Sequence, residues 1–360
     1  MWMLSLTVKS TGIGIMSTIR DVARASGVST ATVSYVLNNK SGEVSADTRE
    51  RVMRAIRELD YRSAPQFMRR RSVKTNTVGL IMIGRNGRDV RQTGYYMPIM
   101  DGILSAIALH RYALTSFIFE SWLDVYGSLR SNVDGKCDGM LFIGPPTANE
   151  IVPALHERGV PVVLIYGVST ISGVNRIVVD NVAVGKSAVN HLISFGHRRI
   201  AYLPGDLTFE PCSSRLQGYK EALAEAKIPF DPELAPNGLF HGPSGYERTK
   251  ALFNKMERSW PTAIFACNDD MAIWTIKALE ELGLNVPGDV SVIGVDNIDT
   301  AETCHPPLTT ISQHLRETGY KSMQLLHSII QKEPDVPFEV VVPTTLIVRN
   351  SVAAAQQPMH

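Results

Sequence analysis

Polar residues gather where apolar runs end. Asp180-Asn181 and Asp296-Asn297 close two such runs with the same pair, Asn268-Asp269 closes a third, and Arg215 opens a helix-like segment after a fourth. Asp, Asn and Arg together supply the acceptors and fixed donors that read hydroxyl groups, as on a sugar ring. Each Asp-Asn pair has a plainer reading too, as the cap of the next helix. Catalysis is poorly served by this set. The strand-end acids stand beside Asn rather than facing a second acid, and there is no Walker loop, no G-x-G-x-x-G after a strand, no H-E-x-x-H and no G-x-S-x-G. Cys267 has no base near it in sequence. His197, in Phe195-Gly196-His197, reads as packing and hydrogen bonding. Cys137, Cys212, Cys267 and Cys304 lie far apart without a C-x-x-C, so no disulfide framework, zinc cage or other cofactor site is expected.

The elements that must hold these residues alternate. Short apolar runs at Val78 to Ile83, Met140 to Ile143, Val162 to Ile165, Ile177 to Val179, Ile200 to Leu203, Ala263 to Cys267 and Val290 to Val295 read as buried parallel strands. Helical patterns lie between them at Pro98 to His110, Ile151 to Arg158, Val182 to Phe195, Ser213 to Ala226, Tyr246 to Met256 and Asp269 to Leu282. Such alternation implies doubly wound sheets, with too many strands for one small domain, and hence two lobes with a cleft. Ligands of these sheets sit beyond the carboxyl ends of the strands, which is where the polar residues stand.

The first part of the chain has a different texture. Of 360 residues 44% are apolar and the net charge is +1, yet Ser17 to Thr75 carries twelve basic and six acidic side chains. The remainder, with 24 basic and 29 acidic, has an excess of five negative charges. A basic head on an acidic body is the footprint of a nucleic-acid-binding module joined to something else, although a solvated helical surface gives the same count. Thr18 and Asp21 start one helix, Gly27 ends it, and Ser29 caps a second with Val33, Val36 and Leu37 on its buried stripe. A third helix from Ser45 places Val52, Met53, Ile56 and Leu59 on one face. Two short helices around a tight Gly turn make a helix-turn-helix. Its outward side chains are then Thr30, Ala31, Ser34 and Tyr35, with Thr32, Ser34 and Asn38 placed for phosphates. None is Arg, Lys or Gln, so readout must lean on thymine methyls, hydroxyls and the Tyr35 phenol. Tyr35 could instead be a half-buried packing residue.

The run from Thr18 to Tyr61, with Asp21-Val22-Ala23 and Val28-Ser29 followed by Thr32-Val33-Ser34, closely resembles the N-terminal DNA-binding domain of the LacI/GalR family of bacterial transcription regulators. The likeness continues through CDGMLFIGP, VVDNVAVG, FGHRRIAYL, SSRLQGY, PTAIFACNDDMA, VPGDVSVIGVDN, PPLTTI and TLIVRNS, and covers Met16 to Val352. It implies an all-α helix-turn-helix domain followed by an α/β two-lobed effector domain of doubly wound parallel sheets, similar to periplasmic sugar-binding proteins. The effector-contacting positions it implies are Tyr95, Tyr96, Tyr166, Arg215, Asn268, Asp296 and Gln313. The tyrosines could stack on a sugar face or a flat ring, or pack at a helix start. The implied function is a repressor that binds double-stranded operator DNA as a homodimer or tetramer and is switched by a small molecule, a sugar or sugar derivative, in the cleft. The competing class is a solute-binding protein whose basic head is incidental.

The linker departs from the family pattern. Relatives place a wedge leucine in the minor groove, whereas the matching position here is Arg70, beside Arg69 and near Phe67 and Met68. An arginine can occupy a narrow A·T-rich groove but cannot unstack a base step, so less bending of the operator is expected; a basic coil that only touches phosphates is the alternative. Arg85, Arg88 and Arg91 enrich a loop that could border the cleft and favour an acidic sugar, or could simply be solvated. The expected divisions are a disordered extension over 1–16, the helix-turn-helix over 17–61, a linker over 62–76, an effector-binding and dimerisation domain over 77–352, and a tail over 353–360. Met16 stands just before the first helix, so either Met1 or Met16 could be the start. The first residues lack a cleavage pattern and no apolar stretch approaches the roughly 20 residues that cross a bilayer, so a cytoplasmic protein without a membrane partner is expected.

Overall fold

A computed structural model describes residues 19–37, 44–58, 74–83, 94–119, 136–144, 151–167, 172–239, 241–255 and 260–356. The extension, Asn38, Leu59, the linker residues Phe67, Met68, Arg69 and Arg70, and the loop arginines Arg85, Arg88 and Arg91 lie outside them. The chain divides after Val73 into two compact units.

The first unit holds α1 (Ile19–Ser26), α2 (Thr30–Leu37) and α3 (Ala46–Glu58). Gly27, at φ 67, makes the left-handed turn that a side chain would strain. Ser29 Oγ accepts from the Thr32 N–H at 3.0 Å and Ser45 Oγ from the Thr48 N–H at 3.3 Å, so hydroxyls cap both later helices. Val22, Ala23, Val33, Val36, Val52 and Ala55 form the core, with Val28, Val44 and Ile56 packed on it. Met53, expected on the buried face of α3, is instead exposed. One residue of helix turns it about 100° from Val52, and the seam runs through Val52, Ala55 and Ile56.

The second unit is built on two sheets. Strands β1 (Thr77–Ile83), β2 (Ala113–Phe119), β3 (Gly139–Ile143), β4 (Val162–Ile165), β5 (Asn175–Val178) and β10 (Glu339–Val341) form one, in the order β10-β5-β4-β3-β1-β2 and all parallel. The other contains β6 (Ile200–Leu203), β7 (Ala263–Ala266), β8 (Ser291–Asp296), β9 (Thr309–Ser312) and β11 (Thr345–Ile347), with only β11 antiparallel. The expected runs all become strands; β2, β9, β10 and β11 are additional. Helices α4 (Tyr96–His110), α5 (Ile151–Glu157), α6 (Asn181–Ser194), α7 (Glu210–Glu225), α8 (Gly242–Lys255), α9 (Asp269–Glu281), α10 (Asp299–Thr303) and α11 (Leu315–Gln331) connect and cover them. The chain passes between the lobes after β5, after β9 and after β10. His197 is buried, its ring nitrogens 2.9 Å from Thr262 Oγ1 and 3.0 Å from both Ser291 Oγ and the Ala353 carbonyl, which fastens the end of the chain to the second lobe. No helix among the described residues is long and apolar enough to cross a membrane.

Each lobe has a helix pair in which a glycine on both partners meets the backbone of the other. In the first lobe α4 crosses α11, where a Cβ on Gly102 would lie 1.9 Å from the Arg316 carbonyl oxygen and one on Gly319 would lie 2.0 Å from that of Ile99. In the second lobe α6 crosses α7, where a Cβ on Gly185 would meet the Arg215 carbonyl oxygen at 2.3 Å and one on Gly218 that of Val182 at 2.1 Å. The absent side chains thus set the depth at which α7 carries Arg215. Gly218→Ala is expected to destabilise the protein by about 1–3 kcal/mol, the usual cost of overpacking, read as a lower urea midpoint. An unchanged midpoint would show that the crossing yields.

Candidate functional site

On α2, Thr30, Ala31 and Tyr35 are exposed and Ser34 is half-buried, opposite Val33 and Val36 in the core. Tyr35 therefore belongs to the outer face, at 38% exposure. That face offers hydroxyls, a methyl group and one phenol, a set suited to thymine methyls and phosphates rather than to a bidentate grip on guanine. Thr32 is partly engaged within the helix start, its hydroxyl 2.9 Å from Ser29 Oγ.

The second set of residues meets at the carboxyl ends of the second-lobe strands. Arg215 is buried on α7. Its Nε donates to Asn181 Oδ1 at 3.0 Å, Nη1 to the Cys267 carbonyl at 2.5 Å and Nη2 to Gln313 Oε1 at 3.3 Å. Gln313 Nε2 in turn donates to Asp296 Oδ1. A guanidinium, an amide and a carboxyl thus form one ladder. Asn181 and Gln313 stand where the chain passes between lobes, so the ladder is built on two of the crossings. Burial works against the guanidinium charge, but Cys267 and Asp296 outweigh it and raise the Arg215 pKa further.

Beside the ladder lies an aromatic cluster. Tyr95 meets Tyr96 edge-on, with ring centroids 5.4 Å apart, and tilts against Tyr166 at 6.3 Å. Tyr166 Oη donates to the Gln313 carbonyl at 3.1 Å and lies 2.8 Å from Thr318 Oγ1. Burial, with help from Tyr166 and Asp296, pushes the Tyr95 phenol well up, so it stays protonated. Tyr166 and Asp296 both stand at positive φ, 55 and 122, a conformation costing a non-glycine residue about 1–3 kcal/mol and commonly held at functional sites.

Six of the seven expected cleft residues are therefore assembled: Tyr95, Tyr96, Tyr166, Arg215, Asp296 and Gln313. Asn268 follows Cys267, but its Oδ1 caps α9 by accepting from the Met271 N–H at 2.8 Å. Asp180 likewise caps α6, through the Ala183 N–H at 2.9 Å. A cavity of about 950 Å³ opens beside Asp296, lined by Asn297 and by residues not singled out from the sequence, among them Asp101, Asp299, His314 and Arg316. Arg316 and Asp101 form an ion pair across the α4–α11 crossing at 2.5 Å. In sequence these charges look like ordinary solvated helix faces, and nothing there says that two helices bring them to one opening.

Known proteins resemble this chain over most of its length. The model of bacterial regulatory proteins of the lacI family matches residues 18–64, and that of a periplasmic binding protein-like domain matches 189–352. The HTH-type transcriptional repressor PurR of Vibrio vulnificus (strain CMCP6) is 35% identical over 345 residues, 94% of this chain and 99% of that protein. The chain belongs to the LacI family. It is a DNA-binding transcriptional repressor and not an enzyme. Among solved structures, a complex of the transcriptional regulator CelR with cellobiose is 31% identical with a TM-score of 0.70, covering 93% of this chain and 99% of its own. The lac repressor dimer bound to operator and the anti-inducer ONPF is 26% identical with a TM-score of 0.67, covering 94% and 100%.

Below the ladder of the LacI-family repressor lies a second acid. Asp269 is buried, its Oδ1 accepting from Thr310 Oγ1 at 2.6 Å and its Oδ2 from the Ile298 N–H at 3.0 Å. Burial pushes its carboxyl up to about 7 against the pull of those hydrogen bonds. Burial and then Asp269 raise Asp296 too, with Arg215 and Gln313 opposing. A carboxyl raised on folding binds more protons in the native state, so its contribution is whole below the ordinary carboxylate range and is lost as pH rises toward about 7. Asp269→Asn is expected to flatten the fall in unfolding free energy between about pH 4 and about pH 7. Urea titrations of wild type and variant that run parallel across that window would refute the assignment.

Proposed function

We propose that the repressor binds operator DNA as a homodimer and is switched by a sugar or sugar derivative held between its lobes. Residues 17–61 act as the DNA reader, with Thr30, Ala31, Thr32, Ser34, Tyr35 and Asn38 on the duplex, and 62–76 as a linker whose Arg69 and Arg70 track the minor groove. Residues 77–352 sense the ligand. The observation that carries the reading is the ladder from Arg215 through Gln313 to Asp296 alongside Tyr95, Tyr96 and Tyr166. Fixed donors and acceptors beside an aromatic surface suit a ring with hydroxyls on its edge and C–H groups on its face. The relative solved with cellobiose favours the same class. Asn268 contributes through its place next to Cys267 at the end of β7.

Switching follows from where the ladder stands. A ligand that takes over some of the hydrogen bonds of Gln313 or Asn181 acts on residues at the lobe crossings, and so favours one lobe arrangement by its differential affinity for the two. Two features support a dimer. The reader offers few distinguishing contacts, which two copies on a pseudo-palindrome would multiply. In addition, α4 exposes Met97, Leu104 and Leu109, and the adjoining edge strand β2 exposes Ile118. The setting is the cytoplasm, where such DNA is reached.

The test is a thermal-shift screen of the full chain against neutral sugars, sugar acids and nucleobases, since a ligand of the folded state raises its melting temperature. A sugar is expected to raise it; a response to nucleobases alone would overturn the carbohydrate reading. Arg215→Ala is expected to weaken the sugar response at least about tenfold, by leaving ligand hydroxyls unpaired, with DNA affinity little changed. Tyr35→Ala is expected to do the reverse, costing about 1–3 kcal/mol of operator binding. An unaltered ligand dose-response in Arg215→Ala would mean that the pocket lies elsewhere.

A further inference from the structure

A hydrogen-bonded relay runs from the point where the linker joins the effector unit to a pair of stacked histidines. Lys74 is the first residue of that unit. Its Nζ donates to Gln331 Oε1 at 2.8 Å, Gln331 Nε2 donates to Tyr112 Oη at 3.2 Å, and Tyr112 Oη lies 3.2 Å from His327 Nδ1. The ring of His327 stacks on that of His110 with centroids 3.8 Å apart. The next residues are pinned separately, the Thr75 and Asn76 N–H groups donating to the Asp138 carboxylate at 2.9 and 2.8 Å.

Every link of the relay points one way. An ammonium can only donate, so the amide of Gln331 must turn its oxygen to Lys74 and its nitrogen to Tyr112. The phenol, already accepting, has its own proton to give, and His327 Nδ1 takes it in the tautomer that carries the ring proton on Nε2. Protonated His327 has no lone pair there and becomes a donor, so the phenol oxygen must accept from both neighbours and turn its own proton away, which reverses the last link of the relay at Tyr112. The ring of His110 lies at stacking distance, and its Nε2 is buried with no hydrogen-bond partner among the described residues. The charged groups acting on the assembly are Lys74 and Glu333 on His327 and Asp138 on Tyr112. Burial first, then His110 and Lys74, hold the His327 imidazole below its ordinary pKa, with Glu333 opposing. The neutral relay is therefore intact at and above neutrality and is lost as pH falls below the ordinary histidine range.

We propose that the His110–His327 stack is a proton-operated latch on the residue at which the linker joins the effector unit, so that acidification weakens operator binding. This rests on the reading that the linker carries the signal between the sensor and the DNA. The reader itself supplies no histidine to such a response, because all nine histidines of the chain stand at or beyond His110.

The experiment uses the full chain and a duplex selected for tight binding from a random-sequence pool, with affinity followed by fluorescence anisotropy at constant ionic strength. As pH falls from about 7.5 to about 5, past the ordinary histidine value, wild-type binding is expected to weaken about fivefold to tenfold, the worth of one ordinary hydrogen bond. His327→Gln and Tyr112→Phe are each expected to change less than about twofold over the same range, since neither can transmit a histidine proton to Gln331. Lys74→Met is expected to bind weakly at every pH. A flat wild-type profile overturns the latch, as does a loss that persists undiminished in both His327→Gln and Tyr112→Phe or that tracks thermal unfolding at low pH. If the pH profile is flat while a sugar still alters DNA binding, the latch fails and the sensor reading stands.

Discussion

A guanidinium cannot shed its charge inside a protein, and that constraint organises the effector unit. Arg215 is buried on α7, and its charge must be met by acceptors wherever it lies. They come from three separate parts of the chain: Asn181 after β5, the carbonyl of Cys267 at the end of β7, and Gln313 after β9. Two of these are the residues on which the chain changes lobe. The need to pair one buried charge therefore fixes the local geometry of the crossings, and any rotation of the lobes about them must rearrange its hydrogen bonds. The Asp296 carboxyl, joined through Gln313, adds the opposite partial charge at the same place.

Much of this architecture can be read from the chain alone, for a physical reason. Strands buried on both faces appear as unbroken apolar runs, and these were legible almost to the residue, as in Ile200–Leu203. Strand β2 was not legible because it is an edge strand whose Thr115 and Ser116 are both exposed and interrupt the run. Helix α11 follows His314, which stands in a left-handed conformation and provides no side-chain cap, so its start carries no conventional signal. The short β10 and β11 pair only with strands far away in sequence.

The site was legible in part. Asp296 stands at a strand end and Arg215 on the helix that follows another, where the doubly wound topology itself points to ligands. Tyr166 and Gln313 emerged only through the family likeness, because nothing local distinguishes them: their meeting is a tertiary event between lobes. The positive φ of Asp296 and the cavity beside it could not have been anticipated from residue type. Capping, the plainer reading of the Asp-Asn pairs, holds for Asp180, and the Asn268 side chain caps a helix as well. The same chemistry thus serves structure in one place and a candidate site in another, and only the neighbours tell them apart.

The two glycine crossings limit how such a molecule can diversify. Where side chains pack, a change on one helix can be answered by a complementary change on its neighbour, and families drift through such paired exchanges. At Gly102, Gly319, Gly185 and Gly218 the opposing surface is main chain, which every sequence shares and none can alter. These four positions leave heredity no second move, so new ligand preferences must arise around a framework whose helix spacing is immovable.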